Sequence, residues 1–79
     1  MWFVYLVLCQ KDNSLYCGIT NNLEKRIAAH QSGRGAKYTR GRGPIRLLKS
    51  IPVSSKSLAL KLEYKIKRMN KNDKLKLCI

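Results

Sequence analysis

Carboxylates are scarce in this 79-residue chain: four Asp and Glu stand against seventeen Lys and Arg. Asp12 belongs to an Asp12-Asn13 turn signal, and Glu24 and Asp73 stand where helix N-termini use an acid. Glu63 alone falls mid-helix without such a local duty. As structure, it forms an i, i+4 pair with Lys67, worth about 0.2–0.5 kcal/mol. As chemistry, it is one oxygen ligand for a hard cation such as Mg²⁺, with water and substrate phosphate completing the shell. A lone carboxylate excludes a two-metal clamp. Tyr5 and Tyr16 are the second chemical signal. A phenol has a reference pKa near 10, too high for a good base at neutral pH, but nearby cations favour the phenolate and lower that value. A chain this rich in cations brings a tyrosine general base within reach. Arg26 offers a bidentate contact to phosphate oxygens; its structural alternative is a stem that covers the helix edge while the head reaches water. His30, the single histidine, follows Arg26 by four residues, and a lone His at a helix edge is more often structural. No Ser/His/Asp or Cys/His arrangement accompanies it.

These side chains need elements to position them. Residues 2–20, WFVYLVLCQKDNSLYCGIT, read as two apolar strands around a polar turn at Asp12-Asn13. With an even loop, positions whose numbers add to an odd value face each other, and side chains alternate faces. Phe3, Tyr5, Val7 and Cys9 then share a face with Tyr16, Gly18 and Thr20. Trp2, Val4, Leu6 and Leu8 share the other with Leu15, Cys17 and Ile19. The second face is wholly apolar and must be core; the first, with two phenols beside a glycine gap, is the chemical face. A helix fits residues 22–31, with Asn21 and Glu24 shaped like a capping box and Gly33 as a stop. On it Leu23, Arg26, Ile27 and His30 fall within one arc of about 100°, so Arg26 and His30 flank the stripe that docks on the sheet. Residues 32–44, with four glycines and a proline, read as a loop in which Lys37, Arg40 and Arg42 contact phosphate and Tyr38 stacks on a base or touches phosphate. Residues 44–53 alternate poorly but are apolar enough for a third strand, with Pro52 near an edge. Ser54 or Ser55 caps a second helix whose stripe is Leu58, Ala59, Leu62, Ile66 and Met69, leaving Tyr64 half-exposed. Asn70 with Asp73 opens a short third helix that turns Leu75 and Cys78 inward. The order is β-β-α-β-α-α in one domain, 1–79: a small α/β layer of three strands with helices packed on it.

The net charge of +13 favours a polyanionic partner, because each phosphate neutralised releases a condensed counterion. Nucleic acid is the first expectation. No run approaches the roughly 20 apolar residues of a membrane span, and the apolar opening lacks a basic n-region. Cys9, Cys17 and Cys78 show no C-x-x-C spacing; they read as reduced, packing cysteines of a cytoplasmic protein, not zinc ligands.

Taken together, the residues resemble the GIY-YIG nuclease family. Its two tripeptides correspond to Phe3-Val4-Tyr5 and Tyr16-Cys17-Gly18, its arginine and following histidine or tyrosine to Arg26 and His30, and its metal-binding glutamate to Glu63. More closely, the whole chain is similar to small stand-alone bacterial members that share the GRGAKYTRGRGP-like loop and the SLALKLEYKIK-like helix. The resemblance implies an α+β fold with a three-stranded antiparallel sheet flanked by helices. It implies a DNA endonuclease, acting on flaps, branches or damaged duplex in repair or recombination. Tyr5 or Tyr16 is then the base, Arg26 stabilises charge on phosphorus, His30 relays a proton, and Glu63 holds one Mg²⁺ or Mn²⁺. Gly18 is the motif's structural glycine. Phe3 departs from the motif by replacing its first glycine. A late asparagine of larger members has Asn70 or Asn72 as its stand-in. Without an attached targeting domain, the basic loop or a partner protein selects the substrate. The alternative is a nucleic-acid-binding module with little hydrolytic activity; an RNA- or ribosome-associated protein is supported by charge and size alone.

Overall fold

The computed structural model describes residues 1–32 and 45–77. The elements are β1 (Trp2–Cys9), β2 (Ser14–Thr20), α1 (Leu23–Gln31), β3 (Ile45–Val53), α2 (Lys56–Lys67) and α3 (Lys71–Lys76). The strands form one antiparallel sheet in the order β2-β1-β3. The element order β-β-α-β-α-α and the antiparallel pairing are those expected.

The hairpin follows from its turn. Asp12 Oδ1 accepts from the Ser14 N–H (3.1 Å) and hydroxyl (2.7 Å), and Asn13 sits at φ 57°, a left-handed conformation that Asn tolerates. The register pairs Tyr5 with Gly18 and Val7 with Tyr16, so both tyrosines share a face. On that face Tyr5, Val7, Cys9 and Ile45 are buried, edged by Tyr16, Leu23 and Ile27 from β2 and α1. On the other, Val4, Leu6, Cys17, Ala59 and Ile66 are buried beneath α2, edged by Trp2, Ile19, Ile51, Val53, Leu62, Met69 and Leu77. The chemical face is therefore also a core face: α1 covers it, and α2 with Leu77 after α3 covers its opposite.

β3 explains its own poor alternation. Its pairing with β1 shifts between Leu6, opposite Lys49, and Val7, opposite Leu47. The extra residue inverts the side-chain parity along the strand. Ile45 consequently packs with Tyr5 and Val7, whereas Ile51, also odd-numbered, packs with Val4 and Leu6. Pro52 lies in this edge strand, opposite Phe3.

Three local readings are corrected. Asn22, not Asn21, caps α1: its side chain accepts from the Lys25 N–H at 3.1 Å. Thr20 Oγ1 selects it, accepting from the Asn22 N–H (3.0 Å) and donating to the Asn22 carbonyl (3.2 Å). Leu58 is 46% exposed and outside the α2 stripe, since it lies in the first turn, beyond the sheet-facing arc of Ala59, Leu62 and Ile66. Leu75 is exposed, and Leu77 packs inward instead. Ser55 caps α2, and Asn70 caps α3 by accepting from the Asp73 N–H at 2.8 Å. That engagement gives Asn70 a structural post; Asn72 is exposed on α3.

Candidate active site

Tyr5 is the centre of the cluster and is 1% exposed. It owes its position to Gly18, directly opposite on β2. A Cβ at Gly18 would lie 2.5 Å from Tyr5 Oη, 2.7 Å from its Cζ and 3.1 Å from Tyr16 Cε2. The glycine is thus the floor on which the Tyr5 phenol rests. Arg26 and His30, four residues apart on α1, meet that phenol from above. Arg26 Nε donates to Tyr5 Oη at 3.2 Å, and Oη lies 2.9 Å from His30 Nε2. Tyr16 closes the side of the cluster, its ring centroid 6.4 Å from that of Tyr5 and 5.5 Å from that of His30.

The protons in this chain of bonds follow from donor inventory. A guanidinium N–H only donates, so Tyr5 Oη accepts from Arg26. Burial and the positive charge of Arg26 hold the His30 pKa below its ordinary value, leaving the imidazole neutral at pH 7. The 2.9 Å contact is a hydrogen bond in either neutral tautomer: the phenol O–H donates to Nε2 when the imidazole proton is on Nδ1, and Nε2–H donates to Oη when it is on Nε2. Burial also raises the Tyr5 pKa, outweighing the Arg26 hydrogen bond and charge that act to lower it. This corrects the expectation of a cation-lowered phenol at Tyr5: desolvation of the phenolate wins. The guanidinium gains in return, its charged form held by the Tyr5 phenol first and also by Tyr16.

Beside the cluster, at the start of α1, a groove of about 190 Å³ is lined by Thr20, Asn21, Asn22, Lys25, Arg26 and Ala29. It joins two cations to backbone at a helix N-terminus, a chemistry suited to phosphate oxygens. Thr20, Asn22 and Lys25 were not singled out for this from sequence; their proximity to Arg26 on the first turn was the available signal. Gln31 was also missed. Its side-chain amide donates to the Ile45 carbonyl at 2.8 Å and accepts from the Ile45 N–H at 3.4 Å, tying the end of α1 to the start of β3 one residue after His30. Lys37, Tyr38, Arg40 and Arg42 lie outside the described residues, as does Cys78.

Glu63 is on the inner, sheet-facing arc of α2, with its side chain 19% exposed and 3.7 Å from Lys67 Nζ. Its neighbour on the sheet is Cys17, whose thiol is pushed up to about 11 by burial first and by the Glu63 charge second. Cys17 packs beneath α2, while Tyr16 and Gly18 alternate to the α1 face. The structure therefore brings Tyr5, Tyr16, Arg26 and His30 together and sets Glu63 in the adjoining layer, across edge strand β2. Among the described residues no group of three or more His, Cys, Asp or Glu could cage a metal. A single, partly exposed carboxylate fits an ion that keeps most of its water and takes its remaining ligands from substrate.

A hairpin bearing both tyrosines, an arginine and histidine on the helix that covers them, and a glutamate on the next helix describe one class of protein, and comparison with known families agrees: a model of the GIY-YIG catalytic domain matches residues 1–76, and the chain belongs to that family. Within it, the chain is similar to small bacterial UPF0213 proteins. It is 58% identical to one from Vibrio cholerae over 74 residues, covering 92% of this chain and 72% of the relative. It is 49% identical to YhbQ of Escherichia coli over 76 residues, covering 96% and 75%. The solution NMR structure of a UPF0213 protein from Bacillus halodurans matches with 45% identity and a TM-score of 0.61, covering 98% of this chain and 82% of that one. GIY-YIG nucleases act on nucleic acid and generally use a divalent metal. No helix among the described residues is long and apolar enough to cross a membrane.

Proposed function

We propose that residues 1–79 form one catalytic domain that hydrolyses phosphodiester bonds in DNA with a single divalent ion. The observation that supports it most is the Tyr5 hydroxyl, bonded at once to His30 Nε2 (2.9 Å) and Arg26 Nε (3.2 Å) beside Tyr16. Their different burial supports different roles for the two phenols. Tyr5 is inaccessible and bonded to both neighbours, so it is a positioning residue that aims Arg26 and His30. Tyr16 is only half-buried and takes the proton of the attacking water as its own phenolic proton passes to His30. The Arg26 N–H groups not held by Tyr5 face the charge that accumulates on the phosphoryl oxygens, and Lys25 supports the same phosphate from the groove. His30 carries the proton onward from the tyrosine pair. Glu63 would hold the Mg²⁺ or Mn²⁺, which when bound stabilises charge on the leaving oxygen. Substrates expected of a role in repair or recombination are flapped, branched or damaged duplexes, with Lys37, Tyr38, Arg40 and Arg42 as further contacts or a protein partner supplying the targeting. The buried free thiols of Cys9 and Cys17 support a reducing, cytoplasmic setting.

The test is incubation of purified protein with supercoiled, branched and single-stranded DNA in Mg²⁺ or EDTA. Metal-dependent nicking is expected, with Arg26→Ala reducing the rate by about 10²–10³-fold and Glu63→Ala abolishing it. Nicking unchanged in Glu63→Ala would remove the metal assignment. A second reading, a binding module without hydrolysis, is favoured by one observation: Glu63 pairs with Lys67 in the layer across β2. Binding without cleavage on every substrate would establish it.

A further inference from the structure

The outer face of α2 is not explained by the cluster beneath α1. At about 100° per residue, Ser57, Lys61, Tyr64 and Arg68 point away from Ala59 and Ile66, and all four are exposed. Tyr64 is 64% exposed, and Leu60 beside it 46%. The Arg68 guanidinium stacks over the Tyr64 ring at 5.5 Å, and its Nη1 lies 3.5 Å from the Tyr64 hydroxyl. Lys61 and Lys65 are like charges at i, i+4, a spacing that destabilises a helix. The two carboxylates of α2 and α3 do not relieve them: Glu63 pairs with Lys67 and Asp73 with Lys76. No described carboxylate lies within ion-pair distance of Lys61 or Lys65. A helix thus keeps a repulsive row of cations around an exposed, cation-stacked aromatic, on the side of the sheet opposite the Tyr5–Arg26–His30 cluster.

We propose that this face, Lys61, Tyr64, Lys65 and Arg68, is a second DNA-binding surface that takes a duplex segment separate from the one at α1, so that one molecule bridges two segments. The proposal rests on the reading that the α1 face holds DNA. Charge complementarity selects the occupant: neutralising phosphates relieves the Lys61–Lys65 repulsion and releases counterions, while Tyr64 and Arg68 offer a planar contact to sugar or base. The body measures 31 × 27 × 20 Å, the two faces lie on opposite sides of the sheet, and a straight duplex lies against one side of it. The two faces therefore take two duplexes, or two arms of a branched one.

A capture assay in EDTA tests this. A duplex is immobilised, protein is added and washed, and a second, fluorescent duplex is applied. Wild-type protein is expected to retain the second duplex. Lys61→Ala/Lys65→Ala, with its helical circular dichroism unchanged, is expected to retain at least tenfold less. Its slope of log affinity against log salt should be shallower by about 0.9 for each lost phosphate contact. Tyr64→Ser should weaken capture several-fold. Lys11→Ala/Arg46→Ala, which removes the same charge elsewhere, should leave capture unchanged. Capture that persists in Lys61→Ala/Lys65→Ala, as it would if two copies bridged through their α1 faces, would overturn the proposal, as would an equal loss in the charge-matched variant. Wild-type protein that nicks DNA but captures no second duplex would overturn this surface alone. Capture without nicking of any substrate would leave it standing and remove the nuclease reading.

Discussion

At the scale of single residues, the cluster depends on a glycine and a neutral histidine. Gly18→Ala sets a Cβ 2.5 Å from Tyr5 Oη, closer than real Cβ contacts come. The strand backbone is held on β1, so the Tyr5 ring must shift, breaking its bonds to Arg26 and His30. Overpacking of this kind costs about 1–3 kcal/mol. Urea unfolding should register that loss, and nicking should fall with it, although Ala adds one methyl and removes no catalytic group. His30 makes a pH prediction of definite sign. Its folded pKa lies below its ordinary value because burial and the Arg26 charge oppose protonation. The unfolded chain titrates near the reference value of about 6.5. Above that pH neither state binds the proton and stability is at its full value. As pH falls through the window between the unfolded and folded pKa values, the unfolded chain binds protons that the folded one refuses, and stability declines. Melting temperatures between pH 7.5 and 5 should therefore drop in the wild type, and the drop should flatten in His30→Gln. With only four carboxylates in the chain, few other groups contribute to that slope.

At the scale of elements, what the sequence could and could not specify has identifiable causes. The hairpin was legible because a period of two and an Asp-Asn turn together fix which side chains share a face. The pairing of Tyr5 with the Gly18 gap followed directly. β3 was legible as a strand but not by face, because the register shift at Leu6/Val7 moves Ile45 and Ile51 to opposite layers. The sequence read Glu63 as a mid-helix carboxylate without a local duty. It could not say which side of the sheet α2 covers, and that choice sets Glu63 across β2 from the tyrosines. The capping register of α1 slipped by one because Asn21 and Asn22 have equal claims until Thr20 binds the backbone of Asn22 at both ends. This last point is testable. Asn22→Ala removes the acceptor for the Lys25 N–H and should cost about 1 kcal/mol in urea unfolding. Asn21→Ala, exposed and outside the cap, should cost within about 0.5 kcal/mol.

At the scale of the whole molecule, a net charge of +13 acts on folding and on binding in opposite directions as salt changes. The body measures 31 × 27 × 20 Å, whereas the Debye length is about 10 Å at 0.1 M ionic strength and about 30 Å at 0.01 M. In dilute buffer the cations of the two faces therefore repel one another through the full thickness of the fold. At moderate salt only local rows, such as Lys61 with Lys65, still repel. Four acids, with ion pairs such as Glu63–Lys67 and Asp73–Lys76 that are exposed or half-exposed and of little individual worth, cannot offset that repulsion. Adding NaCl from 0.01 to 0.3 M should consequently raise the melting temperature of the free protein while lowering its affinity for duplex DNA. Substituting Na₂SO₄ at equal ionic strength distinguishes screening from specific anion binding: screening gives equal shifts for the two salts, whereas a phosphate-like site at Lys25 and Arg26 gives an additional rise with sulfate that Arg26→Ala removes. A melting temperature that falls on adding NaCl would mean that attractive pairs outweigh the surplus of like charge, contrary to the balance of seventeen cations against four acids.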